Sequence, residues 1–91
     1  MATRRLLISG RVQGVFFRAW TVQHARSLGL SGWVRNLRSG EVEVLAAGVE
    51  RALDELVRRC WDGPPDAQVA GIVATEAAEE VEPGFRQIRT E

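Results

Sequence analysis

The run Gly10-Arg11-Val12-Gln13-Gly14-Val15-Phe16-Phe17-Arg18 carries the residue types of an anion cradle. Leu6, Leu7 and Ile8 make an apolar strand pattern that runs into two glycines, and a helical pattern opens just beyond. Glycine tolerates the tight turns in which successive N–H groups converge on one anion. The start of a helix adds unpaired N–H donors and a partial positive charge. Arg18 stands at that start with a permanent cation, whose planar fork suits two phosphate oxygens. A phosphate held by Arg18 and the N–H groups of residues 14–18 is the chemistry this spacing suggests. On spacing alone, an ordinary strand-to-helix turn with a solvated arginine also fits.

Little else in the chain offers a reactive group. All twelve basic residues are arginine, and lysine and tyrosine are absent, which excludes a Walker lysine, a Schiff-base lysine and a tyrosine nucleophile. A cysteine phosphatase needs an arginine six positions after its cysteine, but that position after Cys60 is Asp66. Cys60 also falls on an apolar helical stripe and reads as a packing residue. His24 is the single imidazole, so a histidine metal cluster cannot form; it reads as a surface or boundary residue. Glu76, Glu79, Glu80 and Glu82 lack the regular spacing of a calcium loop and read as a solvated connection.

The glycine run resembles the acylphosphatase family, whose signature has the form apolar-x-G-x-V-Q-G-V-x-F-R. Ile8 to Arg18 matches every fixed position. A second signature is matched by Gly32-Trp33-Val34-Arg35-Asn36, followed by Gly40, Val42 and Gly48. The resemblance spans nearly the whole chain and weakens after about Thr75. It implies hydrolysis of the carboxyl–phosphate bond of acyl phosphates, with phosphate bound at Gln13, Gly14, Val15, Phe16, Phe17 and Arg18. It implies that Arg18 binds the phosphate and Asn36 orients the water, with direct attack, no metal, no cofactor and no phosphoenzyme. The physical roles agree with the residue types. Carboxylate leaves readily, so the protein need only stabilise charge on the phosphoryl oxygens and place a water. An asparagine offers that water a carbonyl acceptor without titrating. Without the motif, Asn36 reads rather as a turn former before Arg38-Ser39-Gly40.

These residues need a scaffold. Residues 4–12 read as a strand, and Phe17, Thr21, Ala25 and Leu28 share one face of a helix closed by Gly29. Residues 30–37 form a second strand, a short turn follows, and Glu41-Val42-Glu43-Val44 alternates as a half-buried third strand. Val49, Leu53, Leu56, Val57 and Cys60 predict a second helix with one apolar stripe, stopped by Asp62-Gly63-Pro64-Pro65. Asp54–Arg58 and Glu55–Arg59 are spaced to pair on its outer face. Residues 67–75 form a fourth strand with a bulge near Gly71. A short terminal strand around Phe85 to Arg89 follows. Its Phe85-Arg86-Gln87-Ile88 is one residue longer than the family's usual F-x-I, which leaves its pairing open.

The order β-α-β-β-α-β is the split βαβ plan, an α+β fold with an antiparallel sheet and two helices on one face. The family implies the same ferredoxin-like α/β sandwich. The plan sets the first and third strands side by side at the sheet centre, with the second beside the third. Asn36 then meets the cradle if the end of its strand lies near the loop. Trp33 reads as a core anchor, Phe16 and Phe17 as core or as a wall of the cradle, and Arg11 and Arg35 as solvated residues or attractors of anions.

Ninety-one residues make one domain, 1–91, with a modest core. Twelve acidic residues balance twelve basic ones, so no bulk field favours nucleic acid or membrane. An RNA-binding domain of the same topology needs aromatics on its middle strands, where this chain has Glu41 and Glu43. A domain that binds a small anion without turnover is a further alternative. The family's module also occurs in larger carbamoyl-transfer proteins, whose appended segments are not in this sequence. The expectation is a free-standing monomer, with inorganic phosphate or sulfate as competing anions. One cysteine and no signal-like or membrane-length apolar run suggest the cytoplasm.

Overall fold

A computed structural model describes residues 1–91. The elements are β1 (Ala2–Arg11), α1 (Phe17–Ser27), β2 (Ser31–Asn36), β3 (Val42–Gly48), α2 (Glu50–Asp62), β4 (Gln68–Glu76) and β5 (Phe85–Gln87). The sheet order is β4-β1-β3-β2-β5, with β1 and β3 at the centre and β2 beside β3, as the split βαβ plan requires.

The sheet is mixed, which corrects the expectation of an antiparallel one. β1–β3, β1–β4 and β2–β3 pair antiparallel, but β5 runs parallel to β2, with Gly32 opposite Phe85 and Val34 opposite Gln87. The direction follows from the connection. β4 finishes where β1 begins, with Glu76 opposite Arg4 and the Ala77 N–H on the Thr3 carbonyl. The chain then crosses that end of the sheet and reaches the start of β2, where Gly32 N–H bonds to the Gly84 carbonyl. A strand entering there can only run alongside β2.

Alternation along the strands sorts their side chains to two faces. Leu6, Ile8, Val34, Val42, Val44 and Ala46 join Phe17, Ala25, Ala52, Leu53, Leu56, Cys60 and Phe85 in one core. Burying each large apolar side chain there stabilises the fold by roughly 1.5–3 kcal/mol. On the opposite face Glu43, almost buried, accepts from Arg5 at 3.0 Å and Arg35 at 2.7 Å. Trp33 lies on that face, half-buried beneath the Arg35 guanidinium at 4.6 Å, and is not a core anchor.

The C-terminal end of α1 and the pattern along α2 follow the sequence expectation, with two exceptions in α2. Gly29 adopts φ 71° after α1, and Leu30 N–H closes on the Ala25 carbonyl at 3.0 Å. Val49, expected on the α2 stripe, is instead its exposed N-cap, so the stripe begins at Ala52 and Leu53. Glu55 takes both Arg58 and Arg59, while Asp54 pairs across to Arg4 at 2.6 Å. The bulge falls where expected: Ser9 faces Gly71 and Gly10 faces Val69, leaving Ala70 as the extra residue.

Candidate active site

The loop between β1 and α1 is turned by left-handed backbone at Gly14 (φ 75°) and Phe16 (φ 66°). Phe16 is the one non-glycine residue with positive φ, a conformation that costs on the order of 1–2 kcal/mol. It is also the N-cap of α1, and no side chain caps the helix. The first helical bond recorded after it runs from Trp20 N–H to the Phe16 carbonyl at 3.0 Å. The N–H groups ahead of Trp20 therefore lack acceptors within the helix. No acidic residue occupies the first turn to satisfy them. A strained, uncapped helix start with free donors has the chemistry to receive an anion.

Gly10 serves a different purpose from Gly14. At φ 115° it lies under the β4 bulge, where a Cβ would sit 2.3 Å from the Gln68 carbonyl oxygen. It permits the close crossing of two strands rather than the turn of the cradle.

The cradle opens into a cleft of about 270 Å³ lined by Val12, Gly14, Phe16, Phe17, Arg18, Ala19, Asn36 and Gln87. The structure thus brings Arg18, from the first turn of α1, together with Asn36, from the last position of β2. Neither side chain forms an ion pair or hydrogen bond within the protein, which leaves both free for a ligand. Phe17 is buried in the core, while Phe16 stands 81% exposed beside the cleft.

Two expected site residues do not line the cleft. Val15 is buried beneath the loop. The Gln13 side chain turns away and donates to the carbonyls of Leu37 at 2.7 Å and Glu41 at 2.9 Å. It ties the cradle to the turn that follows Asn36. From the other side, the Glu91 N–H bonds to the Asn36 carbonyl at 3.1 Å and Ile88 N–H to Val34 at 2.9 Å. Asn36 is held by backbone on both flanks while its amide stays free.

Gln87 was missed by sequence reasoning. It lies on a three-residue strand too short to show a period, and its place depends on the parallel pairing with Val34. The one usable signal was its position two residues beyond Phe85, which puts both side chains on one face of the strand.

The remaining candidates are committed elsewhere. Cys60 is fully buried, and burial pushes its thiol up to about 12, so it carries no thiolate at neutral pH. His24 stacks on Trp20 with ring centroids 4.1 Å apart, and its Nδ1 accepts from Arg59 at 3.1 Å. Burial first, and the Arg59 charge second, lower its pKa. Arg35 is spent on Glu43 and Trp33. No helix is long and apolar enough to cross a membrane.

Comparison with known proteins gives the family and the fold. The family model described as Acylphosphatase matches residues 4–87. An acylphosphatase of Alkalilimnicola ehrlichii is 54% identical over 84 residues, which cover 92% of this chain and 94% of the relative. One from Acidiphilium cryptum is 53% identical over 85 residues, covering 93% of each. The crystal structure of acylphosphatase from Bacillus subtilis superposes with a TM-score of 0.93 at 38% identity, covering 97% of this chain and 99% of that one.

Proposed function

This chain belongs to the acylphosphatase family and is an acylphosphatase, a hydrolase, and from that premise we propose how its cleft performs the reaction. The phosphoryl group of a small acyl phosphate sits in the loop 14–18, its oxygens shared between backbone N–H groups and the Arg18 fork. Asn36 accepts a hydrogen bond from the attacking water through its side-chain carbonyl. The water oxygen forms a bond to phosphorus as the acyl oxygen–phosphorus bond breaks. The electron pair of that bond stays on the acyl oxygen, which leaves as carboxylate, and both water protons end on the dihydrogen phosphate formed.

The supporting observation is the convergence of two unpartnered side chains, Arg18 and Asn36, on an uncapped helix start. A fixed cation and preset N–H dipoles act on the developing charge without reorganising. The route needs no metal, because the charge on the phosphoryl oxygens is met by the guanidinium and amides, with no carboxylate lining the cleft. The same reading takes the protein as one domain working as a monomer in the cytoplasm; the single unpaired, buried cysteine supports the last of these.

The test is turnover of benzoyl phosphate in the presence of EDTA. Hydrolysis should persist, and inorganic phosphate or sulfate should inhibit competitively. Activity lost to the chelator and restored by magnesium or zinc would overturn the metal-free route. Size-exclusion chromatography with light scattering checks the monomer.

A further inference from the structure

The cleft has one more free polar group than the proposed mechanism uses. Gln87 lines it beside Arg18 and Asn36, is exposed, and forms no hydrogen bond through its side chain within the protein. Gln13 shows the contrast, since both bonds of its amide nitrogen are made to backbone carbonyls. Strand alternation explains the aim of Gln87: Phe85 fills the core, and Gln87, on the same face and one step farther along β5, reaches the open end where α1 begins.

We infer that Gln87 is a residue of the acyl half of the site and donates a hydrogen bond from its amide to the oxygen that leaves as carboxylate. This rests on the acylphosphatase reading. The other reacting atoms already have partners: phosphoryl oxygens the loop and Arg18, the water Asn36. The leaving oxygen gains negative charge as its bond to phosphorus breaks, and it is the reacting atom without a donor. An amide meets that charge without carrying its own, so it neither competes for the phosphate nor repels a product carboxylate. Gln87 also approaches from β5, a separate element from the loop that grips the phosphate, as a contact to the other half of the substrate requires.

The experiment compares Gln87→Met, which keeps length but removes the donor, and Gln87→Glu, which adds a negative charge, with the parent protein. The side chain is exposed and unpartnered, so both variants should fold, and circular dichroism checks this. Substrates are benzoyl phosphates whose ring substituents vary the acidity of the leaving acid. Gln87→Met should lower kcat/KM by roughly tenfold to a hundredfold, the worth of one hydrogen bond to a charged group. The loss should grow as the leaving acid weakens, and the phosphate inhibition constant should stay within about twofold. Gln87→Glu should fall lower still. An unchanged kcat/KM with an unchanged leaving-group slope would overturn the inference, as would a loss matched by weaker phosphate inhibition. A parent protein that does not hydrolyse benzoyl phosphate would instead overturn the mechanism beneath it.

Discussion

The Gln13 amide nitrogen lies 2.7 Å from the Leu37 carbonyl oxygen, one residue beyond Asn36. That bond couples the β1–α1 loop to the strand end that carries Asn36, the residue proposed to orient the water. The two halves of the proposed site are fixed relative to each other by a side chain that does not line the cleft.

Breaking this tie should therefore separate geometry from affinity. Gln13→Ala removes two hydrogen bonds, worth about 1–3 kcal/mol together. The Leu37 and Glu41 carbonyls each keep a backbone partner, so the loss should stay near the lower end. Gln13→Glu points a carboxylate at two carbonyl oxygens and should destabilise more. Thermal unfolding and kcat for both variants check this order; equal midpoints for both and the parent would show the tie to be slack.

Arg18 should behave in the opposite way, with a large effect on function and little on stability. Arg18→Lys replaces the fork by a point charge and should cost about 2.7–4 kcal/mol of transition-state stabilisation, a hundred- to thousand-fold in rate. Because the guanidinium has no partner in the protein, the unfolding free energy should move by less than about 0.5 kcal/mol. Near-normal turnover by a folded Arg18→Ala protein would place the phosphate elsewhere.

Asn36 should divide binding from chemistry. Asn36→Ala should lower kcat strongly and leave phosphate inhibition nearly unchanged, the pattern of an interaction made mainly in the transition state. Asn36→Asp keeps an acceptor for the water but faces the anion with a negative charge, and should weaken phosphate inhibition where alanine does not. If Asn36→Ala loses phosphate affinity and keeps kcat, the residue is a ligand clamp.

His24 makes stability depend on pH. The folded protein disfavours the imidazolium, so below the ordinary value of 6.5 the unfolded chain takes up the proton first. Stability from this group is fully present above 6.5 and is lost as pH falls through that value toward the lower folded one. His24→Gln should flatten the fall in unfolding midpoint between about pH 7.5 and pH 5.5. The parent slope persisting in the variant would assign the effect to other groups.

The cradle, the two helices and the order of the four longer strands were legible because each rests on local pattern. Glycines mark the turn, Leu53, Leu56 and Cys60 recur at helical spacing, and the split plan dictates which strands neighbour one another. What escaped depends on relationships that no short window contains. Alternation placed Trp33 on one face but could not say which face the helices cover. The Gln13 amide binds backbone carbonyls, which every residue possesses and no residue type advertises. β5 is three residues long, and its direction is set by where the preceding connection emerges.

That parallel final strand also governs when the site comes into being. The loop, Arg18 and Asn36 lie in the first half of the chain, while the Gln87 wall comes from its far end. Almost all the sequence after β2 must be threaded before the last wall can close, a loop closure with a high entropic cost. The last wall of the cleft is therefore closed by a long-range pairing, β2 with β5. Regain of leaving-group discrimination during refolding should lag behind regain of phosphate binding, which makes the enzyme's own chemistry a clock for the docking of its last strand.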